Sequence, residues 1–396
     1  PVALILLVSG GPVSAASLDW SNALGVPGAQ YWDITQPGTY TLDIPETEIS
    51  TNANYAIRIS ASGVTFNGNG KTITGPGIGT VESGPSYYGI KVSSGKSTQP
   101  LYNVTVTNVT VRNKFYGVRY QYVQGGGINA SRFSSNNSGI YAARSQELLI
   151  RSNPEVSANE FGIMLVPENY SCTIDDNDVS SNAQIGIYLA WRNDRNVISN
   201  NRVTGNGTGI ALSDVGTGNS GSDNTVSNNR IEENNVDGIL LYNYHTNTVT
   251  GNSLSGNKRA GVSLSGEASG GNRFTRNTVQ NSGWVSVYLE QGASGNLFYD
   301  NIFRNGAPLA DANYFSDSSV SGNQWYTTQS PGPNIVGGPT IGGNYWSNAT
   351  SSGFSNLTPD GDGDGFCDEP YSPQSDLVDM YPLHIALDPN AVIDLD

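Results

Sequence analysis

Asn196-Val197-Ile198-Ser199-Asn200-Asn201-Arg202-Val203-Thr204-Gly205-Asn206-Gly207-Thr208-Gly209-Ile210-Ala211-Leu212 is the stretch that decides the fold, because its pattern returns about once every 24 residues between Cys172 and Asn305. Asn before an apolar residue recurs at Asn196, Asn224, Asn247, Asn272 and Asn296, with spacings of 28, 23, 25 and 24 residues. A second series follows at Asn177, Asn201, Asn229, Asn252, Asn277 and Asn301, and a third at Asn182, Asn206, Asn234, Asn257, Asn281 and Asn305. A Gly-apolar-x-apolar tetrad then closes each repeat, as in Gly186-Ile187-Tyr188-Leu189, Gly238-Ile239-Leu240-Leu241 and Gly261-Val262-Ser263-Leu264. A fixed period of this length is the mark of stacked structural units.

Each repeat holds three short segments of alternating apolar and polar residues, too short for helices and separated by Asn, Gly and Ser, so they read as strands joined by tight corners. Three strands per turn make a triangular coil, and coils stacked about 4.8 Å apart put like strands in parallel register. The expected fold is all-β, a right-handed parallel β-helix of three sheets with Ile187, Ile198 and Val203 pointing inward. The corner Asn residues are assigned two structural tasks: adopting left-handed backbone and bonding the Asn one coil away. Less regular coils precede the core, at Gly89-Ile90, Gly117-Val118, Gly139-Ile140 and Gly162-Ile163. Loops are expected at 75–88, 93–102 and 214–223. The chain divides into a signal-peptide remnant at 1–16, an N-terminal cap at 17–55, the β-helix at 56–342 and an irregular C-terminal tail at 343–396.

Charged residues are only 13% of the chain and the net charge is −15. That balance argues against nucleic acid and anionic membrane surfaces as partners. The apolar run at residues 2–8 followed by Ser14-Ala15-Ala16 matches the end of a secretory signal, with cleavage expected after Ala16. No later run is long enough for a transmembrane segment, so the expected location is the cell surface or extracellular space. Asn-x-Ser/Thr triplets at Asn103, Asn108, Asn129, Asn136, Asn169, Asn206, Asn348 and Asn356 are candidate glycosylation sites.

The opening Tyr31-Trp32-Asp33-Ile34-Thr35-Gln36-Pro37-Gly38-Thr39-Tyr40-Thr41-Leu42, the Gly-Ile/Asn repeats, Gly343-Asn344-Tyr345-Trp346-Ser347, the acidic run from Asp360 to Tyr371, and Asp379-Met380-Tyr381-Pro382-Leu383 together resemble NosD-like parallel β-helix proteins. Exported surface proteins of methanogenic archaea carry similar repeats, and pectate-lyase-like enzymes share the coil pattern. The resemblance implies an exported β-helix and, for the namesake periplasmic proteins, a part in supplying copper to nitrous oxide reductase.

Copper delivery needs His, Met or Cys ligands, and His245, His384, Met164 and Met380 show no ligand spacing. Asp360, Asp362, Asp364 and Asp368 alternate with glycines like a calcium loop, since hard Ca²⁺ takes six to eight oxygens. Tyr371 stands where an EF-hand loop has Glu, so Glu369 with Asp376 or Asp379 would have to complete the shell. Polysaccharide lyases need a charge-neutralising group beside a base. Arg192, Asp194, Arg195, Glu168, Asp214, Glu267 and Glu290 are the nearest candidates, with Tyr188, Trp191, Tyr242 and Tyr244 as sugar-stacking rings. No paired carboxylates of glycosidase type stand out. Cys172 and Cys367 are a possible disulfide, although a buried free Cys172 or intermolecular pairing is the favoured expectation. The outward residues Tyr141, Met164, Tyr188, Leu240 and Tyr288 form an apolar and aromatic stripe on one face. The leading functional reading is a structural building block of an S-layer or sheath, self-assembling or joining other surface proteins through that stripe. Its alternative is a carbohydrate-binding or carbohydrate-active lyase- or epimerase-like protein, with polysaccharide as partner.

Overall fold

The computed structural model describes residues 15–77, 87–215, 220–290, 292–306, 313–316, 320–374 and 377–385. Three sheets of twelve strands each build the molecule, and every neighbour within them runs parallel. One turn reads Ile185–Ala190, Val197–Ser199, Arg202–Thr204, then Thr208–Ser213 back in the first sheet. The result is the expected right-handed three-sheet β-helix. We call the sheet that holds the Gly-apolar-x-apolar strands the glycine sheet. The signal-like run at 2–8 and parts of the loops at 75–88 and 214–223 lie outside the described residues.

Alternation puts at least one apolar residue of every strand in the three sheets inside, and two in glycine-sheet strands such as that of Ile187 and Leu189. Ile140, Ile163, Ile187, Ile210 and Ile239 stack in register as one such row, each with no exposed surface. Full burial of one such side chain contributes about 1.5–3 kcal/mol, so the rows supply the cohesion that short strands lack. Toward the C-terminal end the rows turn aromatic: Phe274 stacks on Phe298 at 4.5 Å and Phe298 on Trp325 at 4.4 Å.

The Asn series form hydrogen-bonded ladders, as expected. In each rung the backbone N–H and the Nδ2 of one Asn both donate to the Oδ1 of the next: Asn229 reaches Asn252 at 3.0 and 2.9 Å. One ladder runs from Asn153 through Asn177, Asn201, Asn229, Asn252, Asn277 and Asn301 to Asn344. Another links Asn136, Asn159, Asn182, Asn206, Asn234 and Asn257. The third begins at Cys172 and passes through Asn196, Asn224, Asn247 and Asn272 to Asn296.

Two details differ from the expectation. Left-handed backbone falls on the residue before the ladder Asn in the regular coils, as at Arg195 (φ 57), Asn200 (φ 56) and Gly205 (φ 66), which frees the Asn amide to point inward. Asn281 therefore is not a rung: it takes the left-handed position (φ 53), and the buried residue in the rung position is Ser282, whose Oγ has no hydrogen-bond partner among the described residues, so this ladder stops at Asn257.

The domain limits also move. Residues 17–55 are not a separate cap, since Ala15–Leu18, Trp32–Ile34 and Glu48–Ser50 already belong to the three sheets. Irregular spacing hides these coils in the sequence. Ala15 and Ala16, next to the expected cleavage point, pair in register with Thr39 and Tyr40. At the other end Tyr345–Ser347 is the last strand to stack, and the tail folds over the open coil. It comprises a single helical turn at Phe354–Leu357 and an antiparallel pair, Tyr371–Gln374 with Leu377–Asp379. Buried Asp379 ends the longest ladder there: its Oδ2 accepts from the Asn344 N–H at 2.7 Å and the Trp346 Nε1 at 2.8 Å.

Candidate ligand-binding face

The glycine sheet turns its outer surface to solvent, and register fixes what stands on it. One outward row reads Arg58, Lys91, Arg119, Tyr141, Met164, Tyr188, Ala211, Leu240, Ser263, Tyr288 and Phe315. The five residues of the expected stripe are thus brought together. The stripe is not continuously exposed, however: Ala211 and Ser263 are 0% and 1% exposed, because the longer side chains on either side of them in the row close over these small ones.

A parallel row contributes Tyr88, Tyr116 and Phe161, and the two rows combine into stacks of rings. Tyr88 and Tyr116 lie 5.4 Å apart at 13°, and Phe161 and Tyr188 lie 5.9 Å apart at 18°. At the C-terminal end Trp284, Tyr288 and Phe315 contact one another, with Arg259 over Tyr288. Burial pushes the phenol of Tyr116 up to about 12 and raises those of Tyr141 and Tyr188, so all three remain neutral donors at physiological pH.

Beside the Leu240 strand the face deepens into a groove of about 480 Å³ lined by Tyr242, Asn243, Ser265, Gly266, Glu267 and Glu290. Sequence reasoning named Tyr242, Glu267 and Glu290 separately but found no cluster. They converge because the corners after consecutive glycine-sheet strands stack. Asn243, which the sequence did not single out, shapes the wall: its backbone is left-handed (φ 53), its Nδ2 donates to the Asp214 carbonyl and its Oδ1 accepts from the Ala268 N–H. The arrangement offers two carboxylates and a phenol to one ligand.

Other candidates are spent elsewhere. Glu168 bridges Arg144 and Arg192, and Asp194 accepts from the Ser222 N–H at 2.7 Å. Tyr244 has no exposed surface and cannot stack on a ligand, whereas Trp191 is 39% exposed at its corner. Asn136 and Asn206 are buried ladder members and buried Asn169 bonds Asn193 in the same manner, each with both amide ends engaged, so a glycan on any of them is incompatible with the coil. Asn103 and Asn108 are exposed, and Asn129, Asn348 and Asn356 partly so. Cys172 and Cys367 are both free and buried. No bond between them is possible: Cys172 starts a ladder whose five further rungs to Asn296 span about 24 Å at one strand spacing each, and Cys367 lies beyond it in the tail.

In the tail, ligand atoms of Asp360, Asp362 and Asp368 lie within 4.8 Å of one another. Asp360 accepts from the N–H groups of Gly363, Asp364 and Gly365, which wraps the loop around its carboxylate. Asp364 turns away to the Phe366 N–H. Asp379, expected to complete the shell, is the buried ladder terminator instead, and Asp376 lies outside the described residues.

Residues 191–351 match the model of the family described as periplasmic copper-binding protein (NosD), and residues 80–220 match that of the right-handed β-helix region. The donors present do not suit copper. Among the described residues the one group of three or more His, Cys, Asp or Glu side chains able to share an ion is the all-oxygen Asp360, Asp362 and Asp368, and copper sites of this kind want imidazole or sulfur. No curated protein matches the chain by sequence. Among solved structures, DFA-IIIase from Arthrobacter chlorophenolicus A6 in complex with DFA-III is similar at 14% identity over 72% of this chain and 83% of that one, with a TM-score of 0.52. A double mutant of the periplasmic alginate epimerase AlgG gives 15% identity, 78% and 83% coverage and a TM-score of 0.54. The Dettilon tailspike protein gives 17% identity over 75% of this chain and 60% of that one, with a TM-score of 0.54. At such identities the likeness is one of fold, a right-handed parallel β-helix, which the two family models share, and the resemblance to NosD is carried by residues 191–351.

Proposed function

We propose that this protein binds a glycan outside the cytoplasm, laid along the outer face of the glycine sheet. The observation that carries the reading is the groove, where Tyr242, Glu267 and Glu290 meet at the edge of a row of rings. Rings present apolar faces to sugar carbons while carboxylates accept from hydroxyls. Two of the similar structures are of a polysaccharide epimerase and of an enzyme in complex with DFA-III, which supports the reading without assigning a reaction. Glu267 and Glu290, which line the same groove, are the carboxylates an acid–base step on the bound glycan would use. Among the described residues no helix is long and apolar enough to cross a membrane. In a glycan array followed by calorimetry, Tyr242→Ala and the double change Glu267→Gln/Glu290→Gln are expected to weaken the best ligand about 10-fold or more, the scale of losing one good hydrogen bond or ring contact. Full affinity in both variants would exclude the groove.

The aromatic end of the same face favours a second reading, a rod packing sideways into an S-layer or sheath: Phe315 is 38% exposed on a cluster with Trp284 and Tyr288. Charges at Tyr188 and Leu240 would then abolish assembly in the ultracentrifuge while leaving a folded monomer. Normal assembly of that double variant would reject the stripe as the interface.

For the tail we propose Ca²⁺ on Asp360, Asp362 and Asp368, whose converging oxygens suit a hard cation. Chelation is expected to increase protease cleavage at 358–371 and to leave the circular dichroism of the coils unchanged. Equal cleavage with and without Ca²⁺ would refute it.

A further inference from the structure

Lys91 and Arg119 stand side by side in the outward row of the glycine sheet. Acidic residues outnumber basic ones 34 to 19 in this chain, and arginines elsewhere reach a carboxylate one coil away, as Arg132 does to Glu155 and Arg202 to Asp178. Lys91 and Arg119 form no ion pair among the described residues. Both lie on rings instead. The Arg119 guanidinium sits 5.6 Å from the centroids of Tyr88, Tyr116 and Tyr141, and the Lys91 Nζ sits 5.2 Å from that of Tyr88. Arg119 donates to the Tyr88 hydroxyl at 3.1 Å, while its buried Nε has no partner. The charged groups acting on the Tyr116 and Tyr141 phenols are the cations Arg119 and Arg144. This part of the face is a cationic spot on an anionic rod.

A guanidinium held by three rings is fixed in place and poorly solvated, which raises the strength of any charge-assisted bond it makes. The ring floor that neutral sugars would use is here combined with two unpaired cations 91 and 119 on neighbouring strands about 4.8 Å apart. We infer that Lys91 and Arg119 form an anion-binding subsite for a glycan carrying carboxylate or sulfate groups, with Tyr88, Tyr116 and Tyr141 as the floor beneath the ring that bears the charge. This rests on the reading that the glycine sheet binds a glycan. It adds a direction, since the cations lie several coils toward the N-terminus from Glu267 and Glu290. The charged sugar belongs at the N-terminal end, and the carboxylate groove takes uncharged units.

The full chain is tested by calorimetry with three hexasaccharides of equal length: galacturonate hexamer, a sulfated hexamer and neutral maltohexaose. At least one acidic hexamer is expected to bind about 10- to 100-fold more tightly than the neutral one, with the advantage shrinking as salt rises. Arg119→Gln and Lys91→Gln are expected to remove that advantage and to leave neutral binding and the melting temperature unchanged. Which acidic hexamer wins identifies the anion. Should Arg119→Gln unfold the coil, Lys91→Gln, whose ammonium among the described residues lies over Tyr88 alone, decides by itself. An acidic advantage that survives the variants, or equal affinity for all three hexamers, overturns the subsite and leaves glycan binding intact. Binding of none of them overturns both.

Discussion

Replacing Asn229 by Ala is expected to lower the unfolding free energy by about 3–5 kcal/mol, an unusually large effect for a polar residue. Its Nδ2 donates to the Ile198 and Ser227 carbonyls and to Asn252, and its Oδ1 is the acceptor for the Asn201 backbone N–H at 2.9 Å. Alanine leaves that N–H buried without a partner and opens a gap among fully covered atoms. Urea titration followed by circular dichroism reads the loss, and the outward-facing Ser253→Ala serves as control with a change within about 0.5 kcal/mol. Because coils contact only their neighbours, the damaged rung is also expected to split one unfolding transition into two. A loss below about 1 kcal/mol would mean that the ladder contributes little beyond shape.

Asp379 is the second position of large effect. Asp379→Ala strips the acceptor from the buried Asn344 N–H and Trp346 Nε1 and from the half-buried Tyr381 N–H, and is expected to cost about 3–5 kcal/mol in stability of the C-terminal coils. The same site makes stability depend on pH. Burial pushes Asp379 from 3.8 up to about 7, against the pull of its hydrogen bonds. The fold then holds the proton more tightly than the unfolded chain. Its contribution is complete below about pH 4, falls as the pH rises toward 7, and is constant above that. Asp379→Asn has no proton to lose, so it should flatten the slope between these limits in urea titrations at stepped pH. An unchanged slope would assign the dependence to another group.

Much of this molecule was legible in its Asn and Gly spacing, because a solenoid repeats one local solution and each coil confirms the last. The limits of that reading are local. Whether Asn281 or Ser282 takes the rung position depends on which residue takes left-handed backbone, and Asn, Ser, Arg and Glu all do so in these corners. The same ambiguity made Asn136, Asn169 and Asn206 look available for glycosylation. Tyr244 looked like a surface ring because the apolar alternation breaks at its corner. The groove at Glu267 and Glu290 depends on how corners of unequal length stack, which spacing along one strand does not encode. Arg119 went unnoticed since its significance is the lack of a carboxylate partner among the described residues, visible only with its neighbouring rings in place.

The ladders also give the rod an electrical direction. Each amide presents its carbonyl to the preceding coil and its N–H groups to the following one, so the small dipoles add head to tail as they do in a helix. Partial negative charge gathers at the N-terminal end and partial positive charge at the C-terminal end. The residue before the first rung of one ladder is Lys114, a fully buried amine whose backbone N–H bonds the Asn136 Oδ1. The group after the last rung of another is the Asp379 carboxyl. A cation opens the stack and an acid closes it, each at the end where the opposite charge collects.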